Sequence, residues 1–231
     1  MKKKLMTVLA LVLVIAMSVA GTYAYLTSQD TVTNTFTVGN VAITLDEAEV
    51  DANGNVVSND RVDANSYKLL PGHKYTKDPT IHVDANSEDC FIRAKVTLTN
   101  ADKWIAIAAN YADGKIENII KGTDDNLWWV SGPQVNEDGT VTYTFVYKNE
   151  AKAESLKRVW QSGTDGNDLV LFNQIVIPEG LTNEEIATVA NTEITVVAEA
   201  IQADGFAESS NDATAAAAAY SKAMAALDAS K

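Results

Sequence analysis

Two histidines, one cysteine and several acidic turns are the residues of this 231-residue chain whose types could carry chemistry. A zinc hydrolase of the common kind needs two histidines at helical i, i+4 spacing with a glutamate beside the first, so that both imidazoles reach one metal. Here His73 follows the Pro71-Gly72 turn and His82 stands on the polar side of a strand pattern. No HExxH is present, and both histidines read as surface residues. A serine triad would need one of them beside a poised serine, and the G-x-S-x-G elbow is missing. Cys90 opens an apolar strand, a poor setting for a thiolate, and reads as a small buried hydrophobe. No glycine loop to cradle phosphate appears. The expectation is a protein that is not an enzyme, with no catalytic residue, no metal and no cofactor.

The acidic turns were weighed as calcium loops. "DANGNVVSND" starts D-x-N-x-N, but Val56 stands where an EF-hand needs glycine and Val62 where it needs glutamate. The clusters at Asp124-Asp125-Asn126 and Asp165-Gly166-Asn167-Asp168 read either as weak calcium sites or as solvated turns. In the central segment, Trp104, Trp128 and Trp129 are the candidates for a binding surface. Trp128 and Trp129 are adjacent in a strand and so face opposite sides, which sends one to the core.

The elements that would position these residues are mainly strands. Apolar or strand-compatible residues fall on even positions at Val32, Phe36 and Val38, then on odd ones at Val41, Ile43 and Leu45. A shift by one in a period of two requires a bulge or bend, and Gly39 is its natural place. Asn53-Gly54 signals a hairpin turn. "CFIRAKVTLTN" alternates cleanly, with Ile92, Ala94, Val96 and Leu98 on a buried face and Arg93, Lys95, Thr97 and Thr99 on a wet one. Trp104, Ile107, Ala108 and Tyr111 follow helical spacing up to Gly114. Val141, Tyr143, Phe145 and Tyr147 share a strand face, and "DLVLFNQIVIP" reads as one central, well-covered strand. Thr182 and Glu185 form a capping box that opens a short helix. The Ala-rich tail is helical by propensity and, being mostly alanine, is expected to dock loosely. The sum is an all-β chain with short helical insertions, an antiparallel two-sheet sandwich of jelly-roll-like form. No solenoid repeat and no linker divides it.

The first residues have the layout of a secretory signal. Lys2, Lys3 and Lys4 are followed by an apolar run over residues 5–20, roughly 24 Å as a helix and short of the ~30 Å of a hydrocarbon core. Cleavage is expected after Ala24, leaving Tyr25 first and Thr22 at the −3 position; the second choice is after Ala20. The divisions are then 1–24 signal peptide, 25–40 N-terminal strand segment, 41–208 β-sandwich and 209–231 C-terminal helix. Without the three leading lysines, 15 basic side chains remain against 31 acidic ones, a net charge of −16. Such a surface disfavours nucleic acid and anionic lipid, so membrane contact is expected only through an uncleaved signal. A single cysteine in an exported chain of this size fits a Gram-positive bacterial origin.

Three stretches resemble the TasA/camelysin (CalY) family of exported Gram-positive proteins. They are "GTYAYLTSQDTVTNTFTVGNVAITL", the block "LLPGHKYTKDPTIHV…CFIRAKVTL", and the closing "NQIVIPEGLTNEEIATVANTEITVVAEAIQADGF". The resemblance is weak over residues 102–168. It implies a jelly-roll-like sandwich, release by a SipW-type signal peptidase, and secretion to the cell surface or extracellular matrix. It further implies self-association into biofilm-matrix fibres, alone or with other matrix proteins, by donation of the N-terminal strand. Mapped here, the donor is about residues 25–38, with Val32, Phe36 and Val38 filling pockets of the next subunit. The alternative is that residues 31–45 form the first strand of the chain's own sheet. A monomeric cell-surface adhesin is the second functional expectation. The metalloprotease activity attributed to camelysins finds no recognisable zinc ligands here.

Overall fold

The computed structural model describes residues 39–148, 158–206 and 213–230. Thr22, Ala24 and Tyr25 of the expected cleavage region, and Val32, Phe36 and Val38 of the expected donor strand, lie outside the described residues. Twelve strands and three α-helices are described. In order they are β1 (Ile43–Val50), β2 (Val56–Val62), β3 (Lys74–Thr76), β4 (Thr80–Val83), β5 (Cys90–Leu98) and α1 (Ala101–Tyr111). Then come β6 (Ile120–Lys121), β7 (Trp128–Val135), β8 (Val141–Tyr147), β9 (Val159–Trp160), β10 (Asp168–Val170) and β11 (Gln174–Val176). The last three are α2 (Asn183–Thr188), β12 (Ile194–Gln202) and α3 (Ala213–Ala229).

Every strand pair is antiparallel. One sheet has the order β10-β4-β1-β2, a second β3-β11-β6, and the third β12-β5-β8-β7, with β9 also pairing β5. The protein is thus mostly β, consistent with the all-β sandwich read from the strand pattern. β5 pairs β12 along its whole length, from Cys90 opposite Gln202 to Leu98 opposite Ile194. Its other side pairs β8. The period of two sends Ile92, Ala94, Val96 and Leu98 inward together with Val141, Tyr143, Phe145 and Tyr147. There they join Tyr75, Ile81, Val83, Leu169 and Ile175 of the other two sheets in one buried cluster. α1 adds Trp104, Ile107 and Ala108 to that core, while Tyr111, at the end of the same stripe, stays 38% exposed. The β1–β2 turn is held by Asp51, whose Oδ1 accepts from the backbone N–H of Asn53 and Asn55 at 2.8 and 3.0 Å. The capping box of α2 forms as read, Glu185 N–H donating to Thr182 Oγ1 and Thr182 N–H to Glu185 Oε2.

Three expectations are corrected. "DLVLFNQIVIP" is two short strands in different sheets, β10 and β11, with buried Leu171 and Phe172 at the crossing. Burial on both faces marks a chain passing between sheets as well as a central strand. The kink expected at Gly39 joins a segment outside the described residues; within them, a register shift of β1 against β2 falls between Ala48 and Val50. The wet face of β5 is dry at its N-terminal end, because α3 lies over it. Phe91, Ala203, Ala219, Ala223 and Met224 form a second buried cluster there. The small side chains of α3 let the helix sit close, so the tail read as loosely docked buries a core of its own. Arg93, beneath it, is fully enclosed in ion pairs with Glu199 of β12 at 2.5 Å and Asp228 of α3 at 2.6 Å.

Candidate functional site

Two sheet edges lie close together on the chain path: β6 borders the three-stranded sheet and β7 the five-stranded one. Between them opens a groove of about 390 Å³. Its floor is the inward face of the five-stranded sheet, Val96, Tyr143 and Phe145, with Val130 of β7 and Ile116 and Ile120 on its walls. The alternation of β5 and β8 makes this floor apolar, and its residues Val96, Tyr143 and Phe145 are themselves buried. Glu117, Lys121 and Asp125 form a polar rim. Burial and the nearby charge of Glu117 push the Tyr143 phenol well above its ordinary range, so it stays a protonated donor. An apolar groove beside sheet edges is a setting in which part of an extended segment can be seated. β7 itself is interrupted as an edge: Pro133 lacks an N–H, and the register slips between Ser131 and Gln134.

The outer face of the four-stranded sheet carries a row of charges. His82 of β4 meets the carboxylate of Asp168 of β10 through Nδ1 at 2.7 Å and that of Asp46 of β1 through Nε2 at 2.8 Å, and as an imidazolium it donates to both. Arg61 of β2 closes the row on Asp46 and Asp78 and donates to Thr80 Oγ1 at 2.8 Å. Burial opposes the imidazolium, but the hydrogen bonds and charges of Asp168 and Asp46 outweigh it and raise the His82 pKa. Burial likewise works against the Asp46 carboxylate, and Arg61 and His82 more than offset it, so its pKa is lowered. His82 is therefore a cross-strand staple and not the free surface residue expected from the sequence. His73 lies elsewhere, tilted against Tyr75 at 5.7 Å.

The three tryptophans separate. Trp104 is 4% exposed and its indole donates to Thr192 Oγ1; Trp128 is 1% exposed and donates to Val170 O. Neither offers a surface, because helical and strand periodicity turn both into the core. Trp129, 48% exposed, stacks on the Arg158 guanidinium 5.5 Å away. Cys90 is fully buried and its thiol is pushed up to about 12 by burial, an inert structural position as read.

The sequence reading missed a buried polar group. Glu47 continues the inward parity of Ile43 and Leu45, a charge on an apolar face that the period of two makes visible. It accepts from Lys77 Nζ at 2.6 Å and from Asn65 Nδ2 at 3.0 Å.

The fold and groove define an antiparallel β-sandwich with an open apolar trough between sheet edges. Residues 1–72 match the family model described as camelysin metallo-endopeptidase, which bears out the TasA/camelysin resemblance over the N-terminal third of the chain. No curated protein and no solved structure matches the chain. The family's description implies a metal ion. Among the described residues no group of three or more His, Cys, Asp or Glu is placed to hold one. The two carboxylates beside His82 sit on opposite ring nitrogens, so the three cannot converge on a single ion. The described residues do not fit that metal. Among them, no helix is long and apolar enough to cross a membrane.

Proposed function

We propose that the mature chain is a structural subunit or accessory of extracellular biofilm-matrix fibres. In this reading residues 25–38 of one subunit are donated to the groove between β6 and β7 of the next, placing Val32, Phe36 and Val38 over its apolar floor. The groove is the observation that carries the proposal: about 390 Å³ of apolar trough beside sheet edges suits an inserted strand. The family match over residues 1–72 supports it independently. Head-to-tail donation is heterologous and open, so it grows filaments. Retention of the segment by the membrane before cleavage would confine growth to the outside of the cell.

The test uses the chain starting at Tyr25 and the same chain lacking residues 25–38. Light scattering against concentration, with negative-stain images, should give filaments for the first and monomers for the second. A synthetic peptide of residues 25–38 should bind the shortened chain and lose that binding in Val130→Glu, which puts a charge on the groove wall. A sharp monomer at every concentration would overturn the proposal. It would favour a monomeric surface binding module, for which Trp129 beside Arg158 is the exposed aromatic feature.

A further inference from the structure

The register shift in β1 has a chemical setting. Between Ala48 and Val50 the pairing with β2 slips by three residues, from Arg61 opposite Ala48 to Val56 opposite Val50, and an irregularity of this kind frees backbone groups that the ladder would otherwise use. Asn65 takes both. Its Oδ1 accepts from Val50 N–H at 3.0 Å and its Nδ2 donates to Ala48 O at 2.8 Å. An N–H on one side and a carbonyl on the other fix which amide atom is oxygen and which nitrogen. The same Nδ2 donates to Glu47 Oε1 at 3.0 Å, and the other oxygen of that carboxylate holds Lys77 Nζ at 2.6 Å. An amine and a carboxamide are thus gathered on the two oxygens of one carboxylate. The Lys77 and Glu47 side chains are only 9% and 6% exposed. The small cavity of about 130 Å³ that adjoins the group is lined by Leu45, Ile194 and Val196 on one hand and by the carboxylates Asp46 and Asp63 on the other.

We infer that Lys77 and Asn65 form an intramolecular isopeptide bond, with Glu47 as its acid–base group. Lys77 Nζ already donates to Glu47 Oε2 at 2.6 Å, and in the first step it passes that proton across the contact and becomes a neutral nucleophile. The Nζ lone pair attacks Cγ of Asn65 and forms the new C–N bond. The charge that develops on Oδ1 falls where Val50 N–H already donates, the arrangement of an oxyanion hole. Glu47 delivers its proton to Nδ2, the Cγ–Nδ2 bond breaks, and ammonia is released. The second Nζ proton returns to Glu47 and leaves with ammonia as ammonium, so the carboxylate is restored. No electron is gained or lost and no co-reactant is needed. Positioning on the shared Glu47 carboxylate takes the place of an activated acyl group. The bond would close residues 65–77 into a covalent loop that carries β3 and borders β4, a reinforcement suited to a protein outside the cell that has no disulfide among its described residues.

Intact mass and tryptic mapping of the folded chain starting at Tyr25 test this. The expected result is a mass one ammonia below that of the sequence, with residues 62–68 joined to residues 75–93 in a branched peptide uncut at Lys77. Glu47→Gln and Lys77→Arg should restore the sequence mass while near-ultraviolet dichroism shows them folded; if either fails to fold, the map of the parent chain decides alone. Unlinked Asn65 and Lys77 peptides after prolonged incubation of folded protein would overturn the inference. So would Asp at position 65 with Lys77 free, which means water attacked instead. Ammonia loss mapped to Asn53-Gly54 would overturn it as well.

Discussion

Arg93→Met is the substitution that asks most of the second core. Arg93 and Glu199 have side chains 7% and 6% exposed, and their 2.5 Å contact is buried between β5 and α3. Removing the guanidinium leaves the Glu199 carboxylate enclosed and short of its main counter-charge, which costs about 3–5 kcal/mol in buried pairs of this kind. Asp228 is half exposed, so the loss of its share is screened by water and adds at most about 1 kcal/mol. The double variant Arg93→Met, Glu199→Leu removes the stranded charge and refills the space with apolar volume. It should return to within about 1 kcal/mol of the parent chain. Asp228→Asn alone should cost less than about 1 kcal/mol. Urea unfolding followed by far-ultraviolet dichroism reads these differences. At about 1–3 kcal/mol per molar urea, the single variant should lower the midpoint by more than 1 M, and the double variant should recover most of it. If Arg93→Met unfolds with the parent midpoint, or the double variant is no better than the single, the buried charge is not what this interface depends on.

Two further outcomes follow from particular contacts. The raised pKa of His82 means that its contribution to stability is complete below about pH 6.5 and is lost as pH rises through the higher folded value. The lowered pKa of Asp46 acts in the opposite sense, its contribution being lost only as strong acid protonates the carboxylate. The midpoint of unfolding should therefore fall from weakly acidic to alkaline pH, and His82→Gln should flatten that slope; an unchanged slope would discard the staple. Gly54→Ala and Gly139→Ala place a side chain at the same φ of +80°, but the first Cβ would lie 2.6 Å from Tyr75 Cα and the second would meet nothing within 4 Å. Gly139→Ala should cost about 1–2 kcal/mol of backbone strain, and Gly54→Ala clearly more, because the β3 backbone must move. Equal losses in thermal or urea unfolding would contradict the contact.

Much of the fold was legible in the chain because its causes are local. The alternation of Ile92, Ala94, Val96 and Leu98 specifies which face of β5 is inward, whatever strands flank it. Asn53-Gly54 made a turn and Thr182 with Glu185 made a cap, since each needs only residues within hydrogen-bond reach along the chain. The family resemblance was readable for the same reason, being carried by contiguous motifs. Part of the candidate groove was legible too: the inward residues Val96, Tyr143 and Phe145 were assigned to a core face. That a groove reaches this face beside β6 was not, because it depends on how short strands from residues 120–121 and 174–176 end.

What only the tertiary structure decided are contacts between residues far apart in sequence. The polar face of β5 gave no sign that α3 covers it, since a run of alanines states how close a helix can come and not what it comes to. His82 read as solvated because Asp46 and Asp168, which hold it, arrive from strands 36 and 86 residues away. Glu47 could have been found by parity as a charge on an apolar face, and was passed over. Its meaning came from the bulge that aims Asn65 at it and from the path of Lys77 beside it. Periodicity assigns each side chain to a face; only the packed chain assigns that face its neighbour, and burial, charge state and reactivity follow from the neighbour.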